Sequence, residues 1–137
     1  MSLKLTFKVK KPLDTVFEYL TDMDKFVSIH PVIDKIEPLS KNIFLVHETL
    51  KLGFIPVSFR YQFFLNMNLL EKTVEMNATV MKFTKINMVF VLKSEGHSTQ
   101  VTETILFKST FPIKWIMSKI FKKQHTTLFA NMNLKAF

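Results

Sequence analysis

From residue 33 to residue 109 the chain is a succession of short apolar-rich runs separated by turn residues, and this limits the fold more than any other feature. Candidate strands cover residues 33–39, 42–51, 54–65, 71–81, 84–93 and 98–109. The expected turns are Ser40-Lys41-Asn42, Leu52-Gly53, residues 68–71, Lys82-Phe83-Thr84 and Glu95-Gly96-His97-Ser98. Links this short join antiparallel neighbours, because a parallel crossover needs a dozen residues or more. Residues 3–10 add a seventh strand, with Leu3, Leu5, Phe7 and Val9 alternating against Lys4, Thr6, Lys8 and Lys10. A sheet of that size needs a cover for one face. Residues 113–135, opened by Pro112, are the one long helical stretch available to supply it.

Two short helices interrupt the strands early, in KPLDTVFEYLTDMDKFVSIHP, residues 11–31. Pro12 suits a first helical turn, where a missing N–H is no loss, and Asp14 complements the positive end of the helix dipole. Leu13, Val16, Phe17 and Leu20 follow helical spacing. A second turn from Asp22 to Ile29 carries Met23, Phe26 and Val27, and Pro31 stops it.

The order strand, two short helices, six strands, long helix resembles the START-like or SRPBCC superfamily, which includes birch-pollen-allergen-like proteins, polyketide cyclases and coenzyme-Q-binding START proteins. The resemblance spans essentially the whole chain and is most specific over Lys11–Pro31, with Pro12, Val16, Phe17 and Leu20, then Thr21-Asp22, then His30-Pro31. Family members often carry a tryptophan just before this proline, where this chain has Ser28, Ile29 and His30. The resemblance implies an α+β helix-grip fold: a curved seven-stranded antiparallel sheet around the C-terminal helix, with a cavity between them. The two short helices are then expected to close one end of the grip. No linker or repeat divides residues 1–137, which read as a single domain.

Composition narrows the function classes. The chain has no cysteine, which excludes a disulfide framework, a thiolate zinc site and a cysteine nucleophile, and is compatible with a reducing cytoplasm. The alternating N-terminus does not read as a signal peptide, no apolar run approaches the ~20 residues of a membrane span, and a soluble, cytoplasmic chain is expected. Of 19 basic residues only Arg60 is arginine. Base readout and bidentate phosphate recognition favour arginine, so specific nucleic-acid binding is not expected, and the net charge of +8 gives a diffuse attraction to anions. Fifteen phenylalanines and eight methionines beside two glycines fit either an ordinary core or an adaptable apolar pocket.

Polar residues on apolar faces are the candidate site. In strand 54–65 the apolar face is Ile55, Val57, Phe59, Tyr61, Phe63 and Leu65. A tight turn at Leu52-Gly53 is expected to pair residue 50 with 55 and 48 with 57, which turns Glu48 inward with Phe44, Val46 and Leu50, and His47 outward. In the last strand Glu103 shares a face with Val101, Ile105 and Phe107. An isolated buried carboxylate must pair or become neutral, so Glu48 and Glu103 are candidate polar anchors or weak candidate acid–base groups. The alternative at each position is a bulge or strand end that reaches water.

In the C-terminal helix Ile113, Ile116, Met117, Ile120, Phe121, Leu128 and Met132 share one side, whose centre turns polar at Gln124, Thr127 and Asn131. The opposite side carries Trp115, Lys119, Lys122 and Phe129, an arrangement that could touch an anionic membrane. His30, His47, His97 and His125 lack metal-ligand spacing and are expected as surface or satisfied histidines. No nucleophile elbow or phosphate loop is present in the sequence. No metal or cofactor is expected.

The leading expectation is therefore binding or transport of a small hydrophobic molecule, such as a lipid, an isoprenoid quinone or an aromatic metabolite. Tyr61, Glu48, Glu103, Met117, Phe121, Gln124 and Asn131 are the candidate contacts. The alternatives are a polyketide-cyclase-like enzyme using Glu48 or Glu103, and a peripheral membrane or partner-binding module.

Overall fold

The computed structural model describes residues 2–80 and 82–135, the side chain of Leu52 aside. Its elements run β1 (Ser2–Val9), α1 (Leu13–Thr21), α2 (Met23–Ile29), β2 (Ile33–Ser40), β3 (Ile43–Leu52), β4 (Ile55–Asn68), β5 (Thr73–Val80), β6 (Thr84–Glu95), β7 (Ser98–Ser109) and α3 (Lys114–Leu134). The expected order holds, and boundaries move by up to three residues. The end of the expected strand 71–81, at residue 81, lies outside the described residues.

All seven strands form one antiparallel sheet in the order β1-β7-β6-β5-β4-β3-β2, so β1 reaches across to pair with the last strand. The edge strands carry features that oppose further pairing: Lys4 and Lys8 on β1, and Pro38 with two register shifts on β2.

One register differs from expectation. Leu50 pairs with Val57 and Glu48 with Phe59, two residues along from the 50–55 and 48–57 pairing that the sequence suggested. The turn is the two-residue Gly53-Phe54, with Gly53 at φ 66°, a conformation glycine adopts without steric cost. A slip of two residues preserves which face each side chain occupies, and so the inward assignment of Glu48 and Tyr61 survives it.

The helix pair is joined by Asp22, which ends α1 and starts α2 at φ −88° and ψ 112°. Its carboxylate accepts from the Asp24 and Lys25 backbone N–H groups at 3.0 and 3.3 Å, as a good N-cap does. Pro12 sits at the N-cap of α1 rather than inside its first turn. The α1–α2 end of the molecule is densely packed: Val9, Val16, Leu20, Ile29, Val74, Phe90, Leu128 and Met132 are all buried. Its C-terminal clamp is polar. Asn133 Oδ1 accepts from the Lys10 N–H at 2.7 Å, and Lys11 Nζ donates to the Lys135 carbonyl at 2.7 Å.

Phe129 is a correction. Projected at a fixed angle it falls with Trp115 and Lys119, yet it is buried and stacks on Phe7 with centroids 4.5 Å apart. The inward residues Met117, Phe121, His125 and Phe129 recur every four positions. Each step of four advances about 40° around an α-helix, so the buried stripe drifts across the face that a fixed projection assigns to solvent. Thr127, placed on the inward side by that projection, is exposed for the same reason.

Candidate functional site

The N-terminal half of α3 stands off the sheet, and a cavity of about 220 Å³ lies beneath it. Most of its wall is apolar, including Phe26, Val46, Phe59, Phe63, Met76, Met88, Met117 and Phe121. Six polar side chains interrupt that wall: His30, Glu48, Tyr61, Thr84, Gln124 and His125. A small Ala78 rather than a large residue backs one side and keeps the space open.

Glu48 and Tyr61 come from adjacent strands, and the Tyr61 hydroxyl donates to Glu48 Oε1 at 2.9 Å. Burial pushes the Glu48 carboxyl above its ordinary range, an effect that the Tyr61 hydrogen bond and the nearby His125 oppose. Burial, reinforced by the Glu48 charge, also holds the Tyr61 hydroxyl well above its usual value, so it remains a donor at neutral pH.

His30 owes its place to the chain's return from α2. Pro31 has no N–H, and the next two N–H groups, of Val32 and Ile33, turn back onto His30 Nδ1 at 3.2 and 3.3 Å. Nδ1 is thus an acceptor, and the proton of the neutral ring resides on Nε2, the edge left for the cavity. Burial, followed by repulsion from His125, pushes the His30 pKa down to about 3, so this N–H stays a neutral donor under ordinary conditions.

His125 projects from α3 onto the same cavity, with its ring centroid 6.3 Å from that of His30. Its Nδ1 lies 2.7 Å from Glu103 Oε1 and 2.6 Å from Oε2, and the glutamate is fully buried on β7. With Glu103 ionised, Nδ1 is the donor and Nε2 holds the lone pair of the neutral ring. Phe90 and Phe121 flank that imidazole at 6.3 and 5.4 Å.

The expected contacts therefore divide. Glu48, Tyr61, Met117, Phe121 and Gln124 line the cavity. Glu103 stands behind His125 instead of on the wall, and Asn131 Nδ2 donates to the Ile29 carbonyl at 2.9 Å, tying α3 to the end of α2. Sequence reasoning passed over His30 and His125. The available signals were the His-Pro step followed by two N–H groups in need of an acceptor, and the four-residue recurrence that carries His125 inward. His47 sits outside as expected, 3.3 Å from Glu37. Among the described residues no three potential ligands gather to hold a metal ion.

Residues 6–125 match the sequence profile of the carbon monoxide dehydrogenase protein CoxG. The chain belongs to the CoxG family. No curated protein matches it in sequence. The same helix-grip architecture appears in a START superfamily protein from Mycobacterium smegmatis, at TM-score 0.80 and 13% identity over 96% of this chain and 94% of that one. Ara h 8.0201 matches at TM-score 0.78 and 12% identity, over 97% and 95% of the two chains. An aromatase/cyclase from a Streptomyces species matches at 0.75 and 12%, over 97% and 91%. At such identities the likeness is one of fold, and it places this CoxG-family chain in the START-like superfamily.

Proposed function

We propose that this CoxG-family protein binds, and carries, a small hydrophobic molecule that has a ring-sized apolar body and a hydrogen-bond acceptor at one end. The observation that carries the reading is the His30 Nε2–H, a donor held neutral on the wall of an otherwise apolar cavity. An apolar cavity of ~150 Å³ admits a benzene-sized molecule, so about 220 Å³ suits one compact ring system better than a coiled fatty chain. That size and polarity favour an isoprenoid quinone, with its chain leading out of the cavity, or an aromatic metabolite, over a fully enclosed lipid. Quinone carbonyls would accept from His30, while Tyr61, Glu48 and Gln124 offer further polar contacts and Met117 and Phe121 the apolar ones. The outer face of α3 adds a membrane contact, with exposed Trp115, Lys119 above its ring at 5.4 Å, and Lys122.

Native mass spectrometry after incubation with quinones, flavonoids and fatty acids tests the proposal. A one-to-one complex with a carbonyl-bearing ring compound, weakened by His30→Phe, is expected. If no ring compound binds, the proposal fails.

A second reading, an enzyme of the cyclase kind, is favoured by the Glu103–His125 pair meeting Glu48 and Tyr61 at one cavity. There His125 Nε2 would move a proton, with Glu103 behind it as the positioning residue. Turnover of a poly-β-ketone that is lost in His125→Gln while binding remains would support it. Binding with no turnover would leave the carrier reading alone.

A further inference from the structure

In an antiparallel sheet every second connection falls at the same end. The β3–β4 turn, the β5–β6 turn, the β7–α3 connection and the first turns of α3 therefore lie together. Six large apolar side chains project into solvent from these four segments: Phe54, Ile55, Phe83, Phe111, Trp115 and Ile116. Phe54 is wholly exposed and Trp115 is 61% exposed. Phe83 and Phe111 meet edge to face at 5.4 Å, which joins two of the connections into one apolar knuckle. Single exposed apolar residues are ordinary, whereas a cluster at one end marks a surface that meets something.

The charge at this end is of one sign. Residues 49–58, 79–86 and 104–123 contain no aspartate or glutamate and hold eight lysines. Asp14, Glu18, Asp22, Asp24, Glu71 and Glu95 belong instead to the helix pair and turns of the opposite end. Such a polarised molecule orients in the field of an anionic surface before touching it. The cavity also extends here from α2, reaching Leu50, Val57, Val80, Thr84 and Ile113 beside the exposed cluster.

We propose that this end of the molecule docks on an anionic lipid bilayer and exchanges the cavity's ligand directly with it. The inference rests on the ligand-binding reading and enlarges the membrane contact from one helix face to the whole rim. Aromatic side chains that enter the headgroup region, ringed by lysines that stay in water, are the chemistry of interfacial binding. A protein partner fits less well, since protein interfaces concentrate arginine and shed lysine. The one arginine, Arg60, lies on the outer face of β4, away from this rim. No helix among the described residues is long and apolar enough to cross a membrane, so contact made by this rim is peripheral.

The sole tryptophan, Trp115, stands in the proposed surface and reports on it directly. The full chain would be mixed with phosphatidylcholine vesicles, with or without roughly 30% phosphatidylglycerol, at about 20 mM and about 500 mM salt. The proposal expects about tenfold stronger sedimentation with the anionic vesicles, weakened by salt, and a blue shift of Trp115 emission that acyl-brominated lipid quenches. Phe54→Ser with Phe111→Ser, both exposed positions, should abolish the quenching. No sedimentation at low salt, sedimentation without quenching, or full quenching in the double variant would each overturn it. Binding of a water-soluble apolar fluorophore without vesicles is measured separately. Failure of that arm counts against the cavity reading, while the vesicle arm decides the docking surface.

Discussion

Glu103 on β7 and His125 on α3 share a hydrogen bond of 2.7 Å where both side chains are almost entirely shut off from water. The contact fixes the rotation of α3 over the sheet and turns the remaining imidazole edge toward the cavity. Removing one member of a buried pair leaves the other without compensation, which costs about 3–5 kcal/mol. Glu103→Leu should therefore lower stability by about 3 kcal/mol, while Glu103→Gln, which keeps an acceptor for Nδ1, should lose about 1 kcal/mol. Urea unfolding followed by circular dichroism measures both. Equal midpoints for wild type and Glu103→Leu would mean that the pair does not hold the helix.

His30 makes stability sensitive to acid. Its pKa is about 3 in the folded chain against 6.5 for an ordinary histidine, so between these values the unfolded chain binds the extra proton. Stability is then fully present above pH 6.5 and is lost as pH falls toward 3, with a slope of at most about 1.4 kcal/mol per pH unit from this one group. His30→Asn offers an acceptor near the position of Nδ1 and does not titrate. It should flatten that part of the stability profile. In wild type, the His30 ring proton shifts followed by NMR should stay constant down to about pH 4.

Glu48 runs in the opposite direction. Its folded carboxyl is raised, so the folded chain holds the proton more tightly, and stability is lost as pH rises through the folded value. Glu48→Gln keeps an oxygen for the Tyr61 hydroxyl and removes the buried charge, so it should be at least as stable as wild type at pH 8. Tyr61→Phe removes the donor, leaves the carboxylate less satisfied and should cost about 1–2 kcal/mol at the same pH. Parallel pH series of unfolding midpoints distinguish the two variants.

These responses show which parts of the molecule the sequence exposes to reading. The strand order is legible because alternation and turn chemistry are local, and the inward assignment of Glu48 tolerates a two-residue register error because a strand repeats every two residues. The helix drifts about 40° with every four residues, so errors accumulate along α3, and a fixed projection has lost the inward stripe by Phe129. Asn131 shows a different limit. Its polarity at an inward position is visible in the sequence, while the Ile29 carbonyl it meets lies 102 residues away in the chain, and only folding brings them together. His30 and His125 combine both difficulties, since each gains its meaning from a partner that periodicity does not name.

Phe129 supplies a direct comparison with the face to which a fixed projection assigns it. Buried against Phe7 and Phe90, it should cost about 3–5 kcal/mol when truncated to alanine, the usual loss for a core phenylalanine. Trp115→Ala, on the exposed rim, should change stability by no more than about 0.5 kcal/mol. Unfolding midpoints of the two variants in one buffer decide between the drifted and the fixed helix face.

Ala78 offers a way to separate the cavity from the fold. Its methyl group lies on the cavity wall, across the β5–β6 ladder from Ile86, and a larger apolar side chain there would extend into empty space. Filling space that is already vacant avoids the strain of overpacking and adds apolar burial, so Ala78→Leu should be as stable as wild type or slightly more so. The space it takes is the space proposed for the ligand's ring. Occupancy by ring compounds in native mass spectrometry should accordingly fall by about tenfold or more, equivalent to at least about 1.4 kcal/mol of binding. A variant that unfolds at the wild-type midpoint and still binds such compounds with undiminished affinity would place their site elsewhere on the molecule.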